Sequence, residues 1–168
     1  MSKHYRRGDA TNASIRTLLY TVGCEHDNSL YGKSLINEAG LVAHKSEAML
    51  LQGNKCLYCR KDFGANLSME KDHILPMEKR SAGIHSWGNV LYACSKCNQG
   101  KGNTEEQCKK FTTCSQETIN IISEWQKRYN SGSITINHSL YKDVQSLQQA
   151  CNDLYSEIDL ILQKYKII

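Results

Sequence analysis

CLYC at residues 56–59, KDHILP at 71–76 and CSKC at 94–97 are the most informative segments of this 168-residue chain. The two Cys-x-x-Cys pairs each place two thiolates on a tight turn, and zinc prefers four such soft ligands in a tetrahedron. In a chain without an export signal, paired cysteines are more typical of metal ligands than of disulfides. The sequence therefore predicts a structural Zn²⁺ site formed by Cys56, Cys59, Cys94 and Cys97.

The 34 residues between the two cysteine pairs are longer than the insert of a simple zinc ribbon, so we expect a further element there. Asp72 and His73 are adjacent in it, and neighbouring side chains on a strand point to opposite faces. A single site that uses both needs a bend, and Pro76, the only proline of the chain, lies close enough to impose one. We expect short strands over residues 71–75 and 89–93 and a short helix from about Ser95.

Taken together, these segments closely resemble the HNH endonuclease family, whose fold is the ββα-metal motif. The matching residues are Cys56-x-x-Cys59, Asp72-His73-Ile74-x-Pro76, Asn89, and Cys94-x-x-Cys97-Asn98-x-x-Lys101-Gly102. The resemblance covers about a third of the chain and is specific because every part occurs in order and at family-like spacing. It implies a phosphodiester hydrolase that acts on double-stranded DNA.

The resemblance also implies a role for each matching residue. His73 corresponds to the general base that takes a proton from the attacking water, which suits the near-neutral pKa of imidazole. Asp72 corresponds to the first metal ligand, and Asn98 to the last motif position, which is often histidine, so this chain is an HNN variant. Asn89 corresponds to the central asparagine that fixes the loop, and Lys101 is placed to contact a phosphate.

The metal expected at this site follows from its ligands. Asp72 and Asn98 both offer oxygen, and hard oxygen ligands favour Mg²⁺ or Mn²⁺ over zinc. We therefore expect the catalytic Mg²⁺ or Mn²⁺ to be separate from the structural Zn²⁺, and to stabilise the transition state and the departing 3′ oxygen.

The region before the motif, residues 1–54, is predicted to be a basic arm followed by helices. Residues 1–12 are interpreted as flexible, a short helix is expected from Asn12 or Ser14, and residues 25–33 are rich in turn-forming side chains. Ser34 is expected to cap a second helix. The predicted apolar side of that helix consists of Leu35, Ala39, Val42, Ala43, Met49 and Leu50.

The region after the motif, residues 111–168, is also predicted to be helical. A helix from Gln116 to Tyr129, capped by Ser115, should turn Ile119, Ile122, Trp125 and Tyr129 inward. The last stretch carries a heptad seam at residues 140, 144, 147, 151, 154, 158, 161, 165 and 168. This seam predicts either an intermolecular coiled coil that makes a homodimer or a hairpin folded back on the helix at 116–129.

Composition sets further bounds. The net charge of +4 is a mild excess, concentrated in the first two thirds of the chain, so DNA is expected to bind there. No apolar run is long enough to span a bilayer and no apolar segment follows the basic N-terminus, so we expect a cytoplasmic protein without membrane partners. His85 and Trp87 are candidates for DNA contact, although Trp87 is more typical of a core residue.

The sequence thus predicts an α+β fold. A zinc-bound ββα-metal core over residues 55–110 would be flanked by the helices of 1–54 and 111–168, the last of them long and heptad-patterned. The leading functional hypothesis is a restriction-type endonuclease. The alternatives are a phage or mobile-element nuclease, a non-catalytic zinc-dependent DNA-binding module, and a nuclease directed at RNA.

Overall fold

A computed structural model describes residues 7–65, 67–79, 81–101, 114–129 and 138–165. Five α-helices, one short 3₁₀ helix and two strands occur in these ranges. They are α1 (Arg7–Tyr31), α2 (Glu38–Gln52), β1 (Met69–His73), the 3₁₀ helix (Trp87–Asn89), β2 (Val90–Cys94), α3 (Ser95–Lys101), α4 (Gln116–Arg128) and α5 (His138–Lys164). None of the helices in the described ranges is long and apolar enough to cross a membrane.

The two strands form an antiparallel hairpin that leads directly into α3. Their register pairs Met69 with Cys94 at one end and His73 with Val90 at the other. β1 therefore ends two residues earlier than predicted. The reason is local. The backbone N–H of Ile74 donates to the backbone carbonyl of Asn89, and that of Leu75 donates to the Asn89 side chain, so neither pairs with a further residue of β2.

Helix α2 begins later than predicted and presents a different face to the core. Its N-cap is Asn37, whose side chain accepts a hydrogen bond from the backbone of Gly40, and not Ser34. Val42 and Leu50, predicted to face inward, are 63% and 84% exposed. The predicted apolar face is therefore only partly correct, because two polar side chains share the buried face of this helix with Ala48.

Those polar side chains are His44 and Gln52, which are fully buried against β2. Gln52 accepts a hydrogen bond from the backbone N–H of Tyr92 at 3.0 Å and donates to its carbonyl at 2.8 Å. The ring of His44 contacts the carbonyl of Val90 at 3.1 Å. Both side chains satisfy the backbone at the outer edge of a two-stranded sheet, which would otherwise need a third strand.

Helix α4 is capped by Ser115, as predicted, and buries Trp125 and Tyr129 in the core formed with α2 and β2. Ile119 was expected to face inward and is instead 39% exposed. The buried positions of the first turns are Thr118 and Ile121, so the inward face is rotated from the predicted one. Thr118 is oriented by its hydroxyl, which donates to the carbonyl of Leu57 at 2.8 Å.

Helix α1 is much longer than predicted. Its residues 7–12 were interpreted as flexible and its residues 25–31 as turn-rich, yet all are helical, while residues 1–6 lie outside the described ranges. The first turns of α5 pack on α1, where Leu140 and Val144 join Ile15 and Leu19 in a second apolar cluster. The start of α5 therefore packs on α1, and not on the helix at 116–129 as the predicted hairpin would require. Further along α5 the seam residues Leu154, Ile161 and Tyr165 are exposed, and the homodimer remains a prediction.

Candidate active site and zinc site

Four cysteines meet where the hairpin joins α3. The sulfur atoms of Cys56, Cys59, Cys94 and Cys97 all lie within 4.8 Å of one another. Four sulfurs about 2.3 Å from one tetrahedral zinc ion lie about 3.8 Å apart, so the cluster is close to the geometry that zinc requires. The backbone N–H of Cys94 donates to the sulfur of Cys56 at 3.2 Å.

The hydrogen bonds around Cys56 favour its thiolate form. Burial alone would raise the pKa of the Cys56 thiol. Backbone N–H groups of Cys59, Cys94 and Tyr58 point at the sulfur and outweigh burial, so its pKa falls below the ordinary value. Since a metal ligand must be deprotonated, these hydrogen bonds suit Cys56 to bind a metal, whereas burial raises the pKa of Cys59 and of Cys97.

A cavity of about 310 Å³ lies beside the hairpin and α3, and it is lined by most of the residues predicted for the catalytic centre. Its lining consists of Arg16, Lys71, Asp72, His73, Pro76, Met77, Asn98 and Lys101. Asp72 and His73 share this cavity although they are neighbours on β1, because the strand ends at His73. Arg16 reaches the cavity from α1, and nothing in the local sequence marked it as a site residue.

Asp72 is held by two donors. The ammonium group of Lys101 lies 2.8 and 2.9 Å from its carboxylate oxygens and also donates to the carbonyl of His73. The hydroxyl of Tyr58 donates to the same carboxylate, and burial together with the charge of Asp72 raises the pKa of that phenol far above its ordinary value. Lys101, expected to contact a phosphate, thus faces three protein acceptors, which match the three N–H groups of its ammonium.

His73 is paired with a second imidazole. Its Nε2 atom lies 2.9 Å from Nδ1 of His85. Burial lowers the pKa of His73 to about 3, assisted by His85 and by the charges of Lys101, Lys71 and Arg16. Burial likewise lowers the pKa of His85 to about 4. Both rings are therefore neutral at pH 7, so His73 has a lone pair that can accept a proton. A pKa this far below 7 makes it a weaker base than the near-neutral imidazole that the sequence suggested.

His85 is buried, so it does not face DNA as the sequence suggested it would. Only 5% of it is exposed, and its ring stacks on Tyr20 of α1 at a centroid distance of 4.5 Å. Its backbone N–H donates to the carbonyl of Leu19 at 3.2 Å. Gly23 packs so closely that a Cβ atom there would overlap the His85 carbonyl. Trp87 is fully buried in the core.

Asn89 ties together the two ends of the loop that follows β1. Its side-chain oxygen accepts from the backbone N–H of Leu75 at 2.8 Å, and its amide nitrogen donates to the carbonyls of Leu75 at 2.9 Å and Ile84 at 2.8 Å. Asn89 itself is fully buried. The oxygen and both N–H groups of its amide therefore form hydrogen bonds with the backbone.

Asn98 lies on α3 and is held by a residue that the sequence analysis did not single out. Its amide nitrogen donates to Glu70 at 2.9 Å, and the hydroxyl of Ser95 donates to the other carboxylate oxygen of Glu70. The hydrogen bonds from Ser95 and Asn98 lower the pKa of Glu70. The available signal was alternation, since Glu70 and Asp72 share one face of β1.

Two oxygen donors of the cavity are of the type that a hard divalent cation prefers, although the Asp72 carboxylate already pairs with the ammonium of Lys101. The amide oxygen of Asn98 makes no hydrogen bond within the ranges that the structure describes, and Asn98 and Asp72 line the same cavity. Oδ1 of Asp72 receives only one hydrogen bond from Lys101, so it keeps a free lone pair. One carboxylate and one amide oxygen are the kind of ligands that Mg²⁺ and Mn²⁺ prefer.

Comparison with known proteins relates part of this chain to one family. Residues 56–104 match the family described as HNH endonuclease. The CRISPR-associated endonuclease Cas9 of Actinomyces naeslundii is 29% identical over 103 residues, which are 58% of this chain and 9% of that protein. Septu protein PtuB of Bacillus thuringiensis is 31% identical over 108 residues, which are 63% of this chain and 37% of that protein.

The chain thus spans well under half the length of both relatives. A crystal structure of the Type II-C Cas9 enzyme from Actinomyces naeslundii is 24% identical, with a TM-score of 0.40 over 77% of this chain and 14% of that chain. The small hairpin and the four-cysteine cluster are compatible with an HNH fold. The match of residues 56–104 to the HNH endonuclease family confirms the resemblance over that stretch and supports a nuclease.

Proposed function

We propose that this chain is an endonuclease that hydrolyses phosphodiester bonds of double-stranded DNA with Mg²⁺ or Mn²⁺, acting as a restriction-type enzyme. The observation that carries the proposal is the shared cavity of Asp72, His73 and Asn98, which is also lined by the cations of Arg16 and Lys71. A binding module would need the cations but not a neutral imidazole beside two oxygen donors.

In this proposal His73 removes a proton from the attacking water. His85 holds the His73 ring through their 2.9 Å contact, and Asn89 fixes the loop between them. Arg16 and Lys71 attract the phosphate, because a cavity lined by cations concentrates a polyanion. Lys101 reaches a phosphate only by exchanging one of its present acceptors.

Two metals have separate tasks. Asp72 and Asn98 would hold the Mg²⁺ or Mn²⁺, which supplies stabilisation of the charge that develops on the phosphate and on the leaving oxygen. Zn²⁺ at the four cysteines would fix the start of α3 relative to the hairpin, which positions Asn98 next to Cys97. The cavity is lined by motif residues and by Arg16 of α1. Residues 55–110 would therefore form the nuclease core, and residues 1–54 would pack beside it.

The decisive experiment compares His73→Ala with the wild type on supercoiled DNA in each metal. We expect loss of nicking and cutting while the affinity for DNA changes little, since His73 contributes no charge at pH 7. His26→Ala is the matched control, because it removes another partly buried imidazole that does not line the cavity. A wild-type protein that leaves DNA intact in both metals over a range of salt and sequence would refute the proposal.

The alternatives have distinct outcomes in the same assay. DNA binding without cleavage, unaffected by His73→Ala, would identify a zinc-dependent binding module. Preferential cleavage of RNA in a mixed substrate panel would identify an RNA-directed nuclease. A neighbouring DNA methyltransferase gene favours restriction over a phage or mobile-element role. The exposed seam of α5 suggests a homodimer, which sedimentation of the wild type would test.

A further inference from the structure

An amide side chain can point its oxygen or its nitrogen at a neighbour, and only its hydrogen-bond partners decide which. At Asn98 the partner is the carboxylate of Glu70, with 2.9 Å between the amide nitrogen and a carboxylate oxygen. An ionised carboxylate accepts hydrogen bonds and donates none. Glu70 is therefore compatible with one of the two amide orientations, the one in which Asn98 turns its nitrogen to Glu70 and its oxygen away.

Glu70 is itself held in place. The hydroxyl of Ser95, at the start of α3, donates to its second carboxylate oxygen. Glu70 sits opposite Ala93 in the hairpin, two residues before Asp72. Asn98 lines the cavity, and its oxygen has no hydrogen-bond donor among residues 7–65, 67–79, 81–101, 114–129 and 138–165.

We propose that Glu70 is a positioning residue that fixes the amide of Asn98 so that its oxygen, and not its nitrogen, is presented to the divalent cation beside Asp72. This inference rests on the proposed function, because it needs the cation site in the cavity. An amide nitrogen is a donor without a free lone pair, so the flipped amide would repel a cation that the correct orientation binds.

The experiment measures Mn²⁺ affinity of the full-length, zinc-loaded protein by the EPR signal of free Mn²⁺, without DNA. Glu70→Ala removes the anchor and should weaken Mn²⁺ binding by about tenfold, as expected for a residue that orients a metal ligand. Glu70→Gln should weaken it less, because glutamine can still offer its oxygen to Asn98 while the Ser95 hydroxyl reverses to accept.

Three further variants separate the explanations. Glu124→Gln is the charge-matched control on the exposed face of α4 and should bind Mn²⁺ like the wild type. In an Asn98→Ala background, adding Glu70→Ala should cause no further loss, because Glu70 acts through Asn98. Zinc content and Tm are recorded for each variant to show that it is folded, and Glu70→Gln provides an isosteric change should Glu70→Ala unfold.

Each outcome decides the matter. Equal losses in Glu70→Ala and Glu70→Gln would show that Glu70 acts only through its charge, and a loss that persists in the Asn98→Ala background would show that it acts independently of Asn98. Either result overturns the inference, as does unchanged binding in Glu70→Ala, and the proposed function survives all three. If Asp72→Ala and Asn98→Ala also leave Mn²⁺ binding unchanged, the cation site itself is refuted and the inference fails with it.

Discussion

Replacing Asn89 with aspartate changes one amide nitrogen into an oxygen and tests how the loop after β1 is held. The nitrogen donates to the carbonyls of Leu75 and Ile84 at 2.9 and 2.8 Å. In Asn89→Asp these two contacts become oxygen against oxygen, inside a fully buried position. Only the hydrogen bond from the Leu75 N–H, which is 2.8 Å long in the wild type, is retained.

The magnitude follows from counting these groups. Asn89→Ala loses all three hydrogen bonds, each worth about 1 kcal/mol net, so the free energy of unfolding should fall by about 3 kcal/mol. Asn89→Asp retains one hydrogen bond but buries a charge, and the hydrogen-bond partners of Asn89 among the described residues are backbone groups and not cations. Burying such a charge costs more than the loss of a neutral pair. We therefore expect the isosteric aspartate to be more destabilising than alanine. Domains are stable by only about 5–15 kcal/mol, so either loss is large.

Urea unfolding of the zinc-loaded protein at pH 7, followed by tryptophan fluorescence, measures the difference. Asn120→Ala and Asn120→Asp are the matched controls on the surface of α4, where Asn120 bonds only to the exposed side chain of Gln116. Both controls should stay within about 0.5 kcal/mol of the wild type. An Asn89→Asp variant as stable as the wild type, or more stable than Asn89→Ala, would refute the assigned donor and acceptor roles.

Three further outcomes are expected. Removing zinc with a chelator should lower the Tm and abolish cleavage, because a structural metal site contributes its binding energy to folding. Added Zn²⁺ should restore both. An unchanged Tm in calorimetry would contradict this. His85→Phe keeps an aromatic ring against Tyr20 but cannot hydrogen-bond to His73. A positioned base contributes about a hundredfold to ten thousandfold to the rate, so kcat for DNA cleavage should fall on the order of tenfold or more while KM stays constant. Burial raises the pKa of Asp27, which accepts the backbone N–H of Trp87 at 2.7 Å, to about 7. The native state keeps a proton that the unfolded chain releases above its ordinary pKa of 3.8. The free energy of unfolding of the wild type should therefore fall relative to that of Asp27→Asn as the pH rises from about 4 to 7. Urea unfolding that gives the same difference between the two proteins at every pH would rule this out.

The chemistry-bearing residues could be recognised from sequence because their types and spacing are themselves the signal. The cysteine pairs indicated that their four sulfurs would converge, and the structure brings them together. The order of hairpin and helix around Asp72 and Asn98 was likewise predictable, since both lie at fixed offsets from the cysteines. Ser115 was recognisable as a cap because an N-cap uses only local backbone.

Predictions that depended on apolar periodicity were weaker. The exposed Leu50 and the buried Gln52 of α2 reverse the expected pattern, because Gln52 is buried through two hydrogen bonds to the backbone of Tyr92. A hydrophobic pattern contains no information about such a partner 40 positions away. The length of α1 was missed for a similar reason, since buried Asp27 in its polar half is matched by the backbone of Trp87.

By itself, the sequence determined which side chains are candidates to bind metal and transfer a proton, because candidacy depends on residue type and on spacing along one stretch of chain. Only the tertiary structure decided what surrounds them: Arg16 beside the cavity, His85 against His73, and Glu70 against Asn98. The physical reason is that a hydrogen bond or a charge contact acts over a few ångströms of space, and the distance along the chain does not fix the distance in space.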